Sequence, residues 1–216
     1  MKNLATILLL LVLGSNAIAQ DAELIERNVT IEQSRLAFLK GDVRELQRLA
    51  THYLNVDRRT ASGAFKIEQF DDGIEMALVI RGDDAEAQHQ ALIARTKTWV
   101  DEFPDAPIAY VLHARSLMAY THYFRGGGYA NTVPPLALAS YRKYSTEAAE
   151  FLLKNQDVAS VYTGWHATLI NLARQLAWPK NMVNKTMADG LRRSPDDYRM
   201  YHHGSPPTPT QRKRTG

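Results

Sequence analysis

Residues 121–135, THYFRGGGYANTVPP, hold the chain's densest set of groups with a chemical use. Arg125 offers a fixed fork of N–H donors, Gly126, Gly127 and Gly128 free the backbone, and Tyr129 and Asn131 add polar tips. Glycine-rich backbone beside a cation is one way to cradle a phosphate. A phosphate loop, however, follows a strand and ends in Gly-Lys-Ser/Thr, so that amides and a lysine surround the phosphates. Here an apolar helical pattern precedes the glycines and Val133-Pro134 follows them. The structural reading is therefore favoured: Gly126 takes a left-handed helix cap, and Gly127 and Gly128 let the chain reverse closely.

Other chemistries find less support. The chain has no cysteine, which removes thiol catalysis, disulfides and lipid attachment at a cleavage-site cysteine. Histidines at 52, 89, 113, 122, 166, 202 and 203 show neither His-Glu-x-x-His nor any other ligand spacing, so no metal and no cofactor are expected. No Gly-x-Ser-x-Gly elbow occurs. Ser116 lies near His113 and Ser160 near His166, but a triad is defined by roles in space. The paired carboxylates Asp71-Asp72, Asp83-Asp84 and Asp196-Asp197 read as helix starts and loops. No residue is assigned a catalytic role; an enzyme stays open, and a protein that is not one is the favoured expectation.

The elements that must position these groups begin after a leader. Lys2, the apolar run Leu4 to Leu13 and Ala17-Ile18-Ala19 before Gln20 form a secretory signal pattern, with cleavage between Ala19 and Gln20. The run is about half the roughly 20 residues that span a bilayer, so no stable membrane anchor is expected after cleavage. The short leader and absent cysteines point to a periplasmic or secreted protein of a Gram-negative bacterium. Of 26 basic residues, four (Lys2, Arg212, Lys213, Arg214) lie in the leader and tail, leaving 22 against 23 acidic. The body is nearly neutral and carries no footprint for nucleic acid.

Helical periodicity dominates residues 20–201. From Ala22 to about Lys40, the residues Leu24, Ile25, Leu36 and Leu39 are expected to share a buried stripe, and Gly41-Asp42 supplies a stop and a new cap. Val43, Leu46, Leu49, Ala50 and Tyr53 pattern a second helix. A third is expected within Ala64 to Ile80, shortened by Gly73, with a strand as the alternative for its last seven residues. A fourth is capped by Asp83 or Asp84, and Pro107 opens a strongly apolar helix over 108–124. Further helices are expected near 135–154, 158–177 and 180–192, with Pro195 opening another.

Phe103-Pro104-Asp105 and Ser194-Pro195-Asp196 are echoing junctions, each followed by tyrosine. They suggest an all-α single domain of stacked antiparallel helix pairs, an α-α superhelix or tetratricopeptide-like solenoid. Residues 202–216, HHGSPPTPTQRKRTG, lack any aliphatic residue and read as a disordered tail. Because they interrupt a helix that has barely begun, they also read as a truncated or frame-shifted end.

YFRGGGYANTV, with WVDEFPDAPIAYVLHARSLMAY before it and WHATLINLARQLAW and GLRRSPDDYRMY after it, resembles the bacterial family called domain of unknown function 4034. The resemblance covers about residues 43–201 and is most specific at Arg125-Gly126, the following aromatic, and Asn131-Thr132. It implies a helical, tetratricopeptide-like fold and no known activity. It also suggests that Arg125, Tyr129 and Asn131 project from the corner, with Trp165 and His166 packing nearby as an interaction patch. Alternatively, Trp165 is core and His166 a hydrogen-bonded or exposed residue on its helix. Two functions follow: a non-catalytic scaffold for another envelope or secreted protein, or a hydrolase or small-ligand protein with a pocket at 125–132.

Overall fold

The computed structural model describes residues 2–80, 82–126 and 132–195, with only the helical backbone for residues 2–20. The described residues form nine helices and no strand, so the chain is all-α, as its periodicity predicts. Their packing gathers into two compact units, residues 1–79 and 80–216.

The first unit contains α1 (Lys2–Lys40), α2 (Val43–Asn55) and α3 (Lys66–Leu78). The predicted stop and cap between α1 and α2 both form: Gly41 has φ 75°, and the Glu45 N–H donates to Asp42 Oδ1 at 3.0 Å. So short a connection between packed helices forces reversal. The Tyr53 hydroxyl of α2 reaches Gln33 of α1, and its ring packs on Phe70 of α3. α3 then runs parallel to α1, because Ser62 meets Glu23 and Lys66 meets Glu26, at offsets of 39 and 40 residues. Lys66 is buried and also pairs with Asp57 at 2.5 Å.

α1 turns a different face inward from the one its aliphatic residues predict. Leu24, Ile25, Leu36 and Leu39 are 55%, 64%, 40% and 43% exposed, whereas Thr30, Ser34, Ala37 and Phe38 are buried. The cause lies across the contact. Gly73 does not shorten α3 but sits within it, and a Cβ there would overlap Ser34 Oγ and the Ile31 carbonyl oxygen of α1. The helices meet where both carry little side chain, and Ser34 satisfies its hydroxyl on the Ile31 carbonyl at 2.9 Å. Asp71 and Asp72 likewise lie inside α3 rather than at its start. Asp84 takes the cap position of α4 without a side-chain cap bond, and Asp196-Asp197 lies outside the described residues.

The second unit contains α4 (Ala85–Glu102), α5 (Pro107–Arg125), α6 (Pro135–Lys154), the single turn α7 (Gln156–Ala159), α8 (Gly164–Gln175) and α9 (Lys180–Arg193). The helix expected over 158–177 is thus divided, as Tyr162 and Trp165 turn inward together. Glu86 meets Tyr120 and Thr96 meets His113, which makes α4 and α5 antiparallel. His122 meets Tyr141 and His113 meets Phe151, so α6 reverses again. Trp165 meets Leu152 and Gln175 meets Ser145, which sets α8 antiparallel to α6. α8 is consequently parallel to α5, through Arg115–Thr168 and His122–Gln175, both 53 residues apart. α9 reverses once more, packing Val183, Met187 and Leu191 on Ala167 and Ile170. The expected stacking of antiparallel helix pairs is what these contacts build, and α5 lies at its centre, buried along most of its length.

Candidate functional site

The C-terminal end of α5 is held by aromatic packing against α6. Phe124 stacks on Tyr144 with rings 5.8 Å apart, and Tyr120 lies 4.6 Å from Phe124 and 4.7 Å from Tyr144. Gly126 ends α5 with its N–H on the His122 carbonyl at 2.9 Å. Its φ of 62° is positive, as the sequence predicts, but its ψ of −170° puts it in an extended, glycine-only region rather than the left-handed helical one.

A polar relay ties this end of α5 to its neighbours. Ser145 Oγ donates to Gln175 Oε1 at 3.2 Å, and Gln175 Nε2 lies 3.4 Å from His122 Nε2. With the amide N–H as donor, the ring accepts only when neutral. The loss of water around the ring, and then the Arg125 cation, hold the His122 pKa below its usual value. Burial raises that of Tyr141 beside it. These groups lock α5, α6 and α8 together, a structural use of the histidine.

A concavity lies on the same unit, along α8 and α9. It has a volume of about 410 Å³. Trp165, His166 and Leu169 form its floor, Trp178 stands at its end, and Leu153 and Met182 contribute exposed apolar wall. Trp165 is 5% exposed and His166 2%; the indole N–H donates to the Leu152 carbonyl at 3.1 Å, and the His166 ring stands edge-on to the indole at 4.9 Å. Trp178 is aimed by a helix-ending turn in which its N–H bonds to the Ala173 carbonyl at 2.8 Å and that of Ala177 to Arg174 at 3.2 Å. Ala177 pays for the turn with φ 53°, a position that normally selects glycine.

The rim belongs to α9. Lys185, Asp189, Arg192 and Arg193 recur at helical spacing along one edge of it. Asp189 is paired with Arg192, and Arg193 Nη1 donates to the Ser160 carbonyl at 3.3 Å. No ion pair to Lys185 occurs among the described residues.

The sequence-predicted residues fall into two places. Arg125 lies three residues past His122 at one end of the parallel α5–α8 pair, and Trp165 lies ten residues before Gln175, roughly 15 Å back along α8. Arg125 and the Trp165–His166 pair therefore do not share a patch. Tyr129 and Asn131, with Gly127 and Gly128, lie outside the described residues. Ser160, His166 and Asp189 do line one concavity, but Asp189 is engaged by Arg192 and no hydrogen bond joins Ser160 Oγ to the ring among the described residues. The relay of a nucleophilic triad is not assembled. Ser116 and His113 serve the core, donating to the Leu112 carbonyl and pairing with Thr96 Oγ1, each at 3.0 Å.

Sequence reading passed over Trp178, Met182, Lys185 and Arg193. The available signal was a tryptophan directly before Pro179, followed by an α9 edge whose polar residues repeat every three or four positions. No protein-family profile, curated protein or solved structure matches the chain.

Proposed function

We propose that this chain is an exported helical module that binds another protein of the bacterial envelope, working by contact rather than turnover. The observation that carries the reading is the α8–α9 groove, where two tryptophans, exposed apolar wall and two arginines lie along one concave face. Tryptophan and arginine dominate the energetics of protein interfaces, and concave faces of stacked helices are common binding surfaces. The leader pattern at residues 1–19 supports export to the periplasm or beyond. The resemblance to the domain of unknown function 4034 family, resting on Arg125-Gly126 and the helical pattern, implies no known activity and is compatible with this reading.

Photo-crosslinking tests the reading. A crosslinking residue in place of exposed Met182 should capture one protein, identified from its tryptic peptides, and Arg193→Ala should abolish the adduct. Failure to capture anything from a folded chain at its native location would overturn the interaction reading.

A further inference from the structure

The composition of the groove restricts what can occupy it. Its floor, Trp165, His166 and Leu169, is almost fully buried, so the apolar surface it offers is that of Leu153 and Met182, 42% and 45% exposed, with Trp178 half-buried at its end. Its rim presents three cations, Lys185, Arg192 and Arg193, against the single carboxylate of Asp189. That carboxylate is already paired with Arg192; Lys185, one turn before Asp189, makes no ion pair among the described residues, and Arg193 spends one N–H on a carbonyl, so the rim keeps three cations against one carboxylate. An incoming anion would therefore meet uncompensated positive charge beside a surface that gains from losing water.

The dimension of the groove matters as much as its charge. It follows α9 from Met182 to Arg193, roughly 16 Å at 1.5 Å per residue. An extended segment of about five residues covers that length. A compact ligand would fill one end and leave the other rim cation unused.

We infer that the α8–α9 groove binds a short acidic segment of a partner protein. One large apolar side chain of that segment packs on Trp178, Leu153 and Met182 above the buried floor, and its carboxylates meet Lys185 and Arg193. The inference rests on the interaction reading above and adds the chemical character of the partner. Electrostatic complementarity supplies selection among partners, and covering the exposed apolar wall adds to the affinity.

The test uses the full chain and three fluorescein-labelled hexapeptides, read by fluorescence anisotropy. The first is Asp-Glu-Phe-Glu-Asp-Leu, the second its basic counterpart Lys-Arg-Phe-Arg-Lys-Leu, and the third Asp-Glu-Ser-Glu-Asp-Gly, which keeps the acids without the anchors. The first should bind at least about tenfold more tightly than either other, and its affinity should fall as salt is raised from about 20 to about 300 mM. Lys185→Glu should weaken it about fivefold or more while leaving helix content and Tm unchanged, since that side chain is exposed and holds no partner. Replacing Lys185, Arg192 and Arg193 together by glutamate should invert the preference toward the basic peptide.

Equal binding of acidic and basic peptides, or indifference to Lys185→Glu, would overturn the inference. So would self-association of the chain that the first peptide fails to dissolve, because a second copy would then hold the groove. The peptide series judges the acidic character alone and the Met182 crosslink judges the interaction reading alone. A captured partner whose crosslinked segment lacks acidic residues leaves the module standing and removes the acidic partner.

Discussion

Protonating His113 would place a cation between Thr96 and the Phe151 ring, where burial and then Lys97 hold its pKa down to about 4. The unfolded chain takes up this proton near pH 6.5, before the folded one does. Stability from the group is therefore complete above pH 6.5 and is lost as pH falls toward 4, by up to about 3 kcal/mol. Urea unfolding at pH 7 and pH 4 should show this loss in the parent and a smaller one in His113→Asn. His89, also kept below its usual pKa by burial, acts in the same direction. Legibility at this scale depends on the distance to the partner. The Asp42 cap could be read because its acceptor and donor are three residues apart. The partners of His113 and Trp165 lie 17 and 13 residues away on other helices, and no local pattern names them.

Helix positions were legible because punctuation is local: Gly41-Asp42, Pro107 and Pro135 stand where α2, α5 and α6 begin. Helix faces were less so. Aliphatic spacing on α1 pointed to Leu24, Ile25, Leu36 and Leu39, yet the chosen face is the one that fits against Gly73. Gly73→Ala should therefore destabilise the first unit by about 1–3 kcal/mol through overpacking. Leu36→Ser should cost within about 0.5 kcal/mol, as an exposed position does. The α8–α9 turn gives the opposite sign. Ala177→Gly removes the strain of φ 53° and should stabilise the second unit by about 0.5–1 kcal/mol, measured by denaturant midpoint at unchanged m.

Two compact units in one chain make a single two-state transition the less expected outcome. Calorimetry should resolve more than one transition, with Gly73→Ala lowering one and Ala177→Gly raising another; coincident movement of a single peak would contradict this. At this scale the alternation of helices was legible, because short connections between amphipathic helices dictate reversal. The groove was not, since its floor comes from α8 and its rim from α9, and how the two face each other is set by the turn at Ala177 rather than by the periodicity of either helix. The two hydrogen bonds that seat α8 beside α5 close loops of 53 residues, against 17 for Thr96–His113 in the α4–α5 hairpin. Chain entropy makes the longer closure costlier by about 1 kcal/mol. As the molecule acquires its structure, the short closures, Thr96–His113 and Trp165–Leu152, should form first and the seam between α5 and α8 last. The buried faces of α5 and α8 are then the apolar surface left uncovered longest, the part of a newly made chain that most needs shielding from other chains.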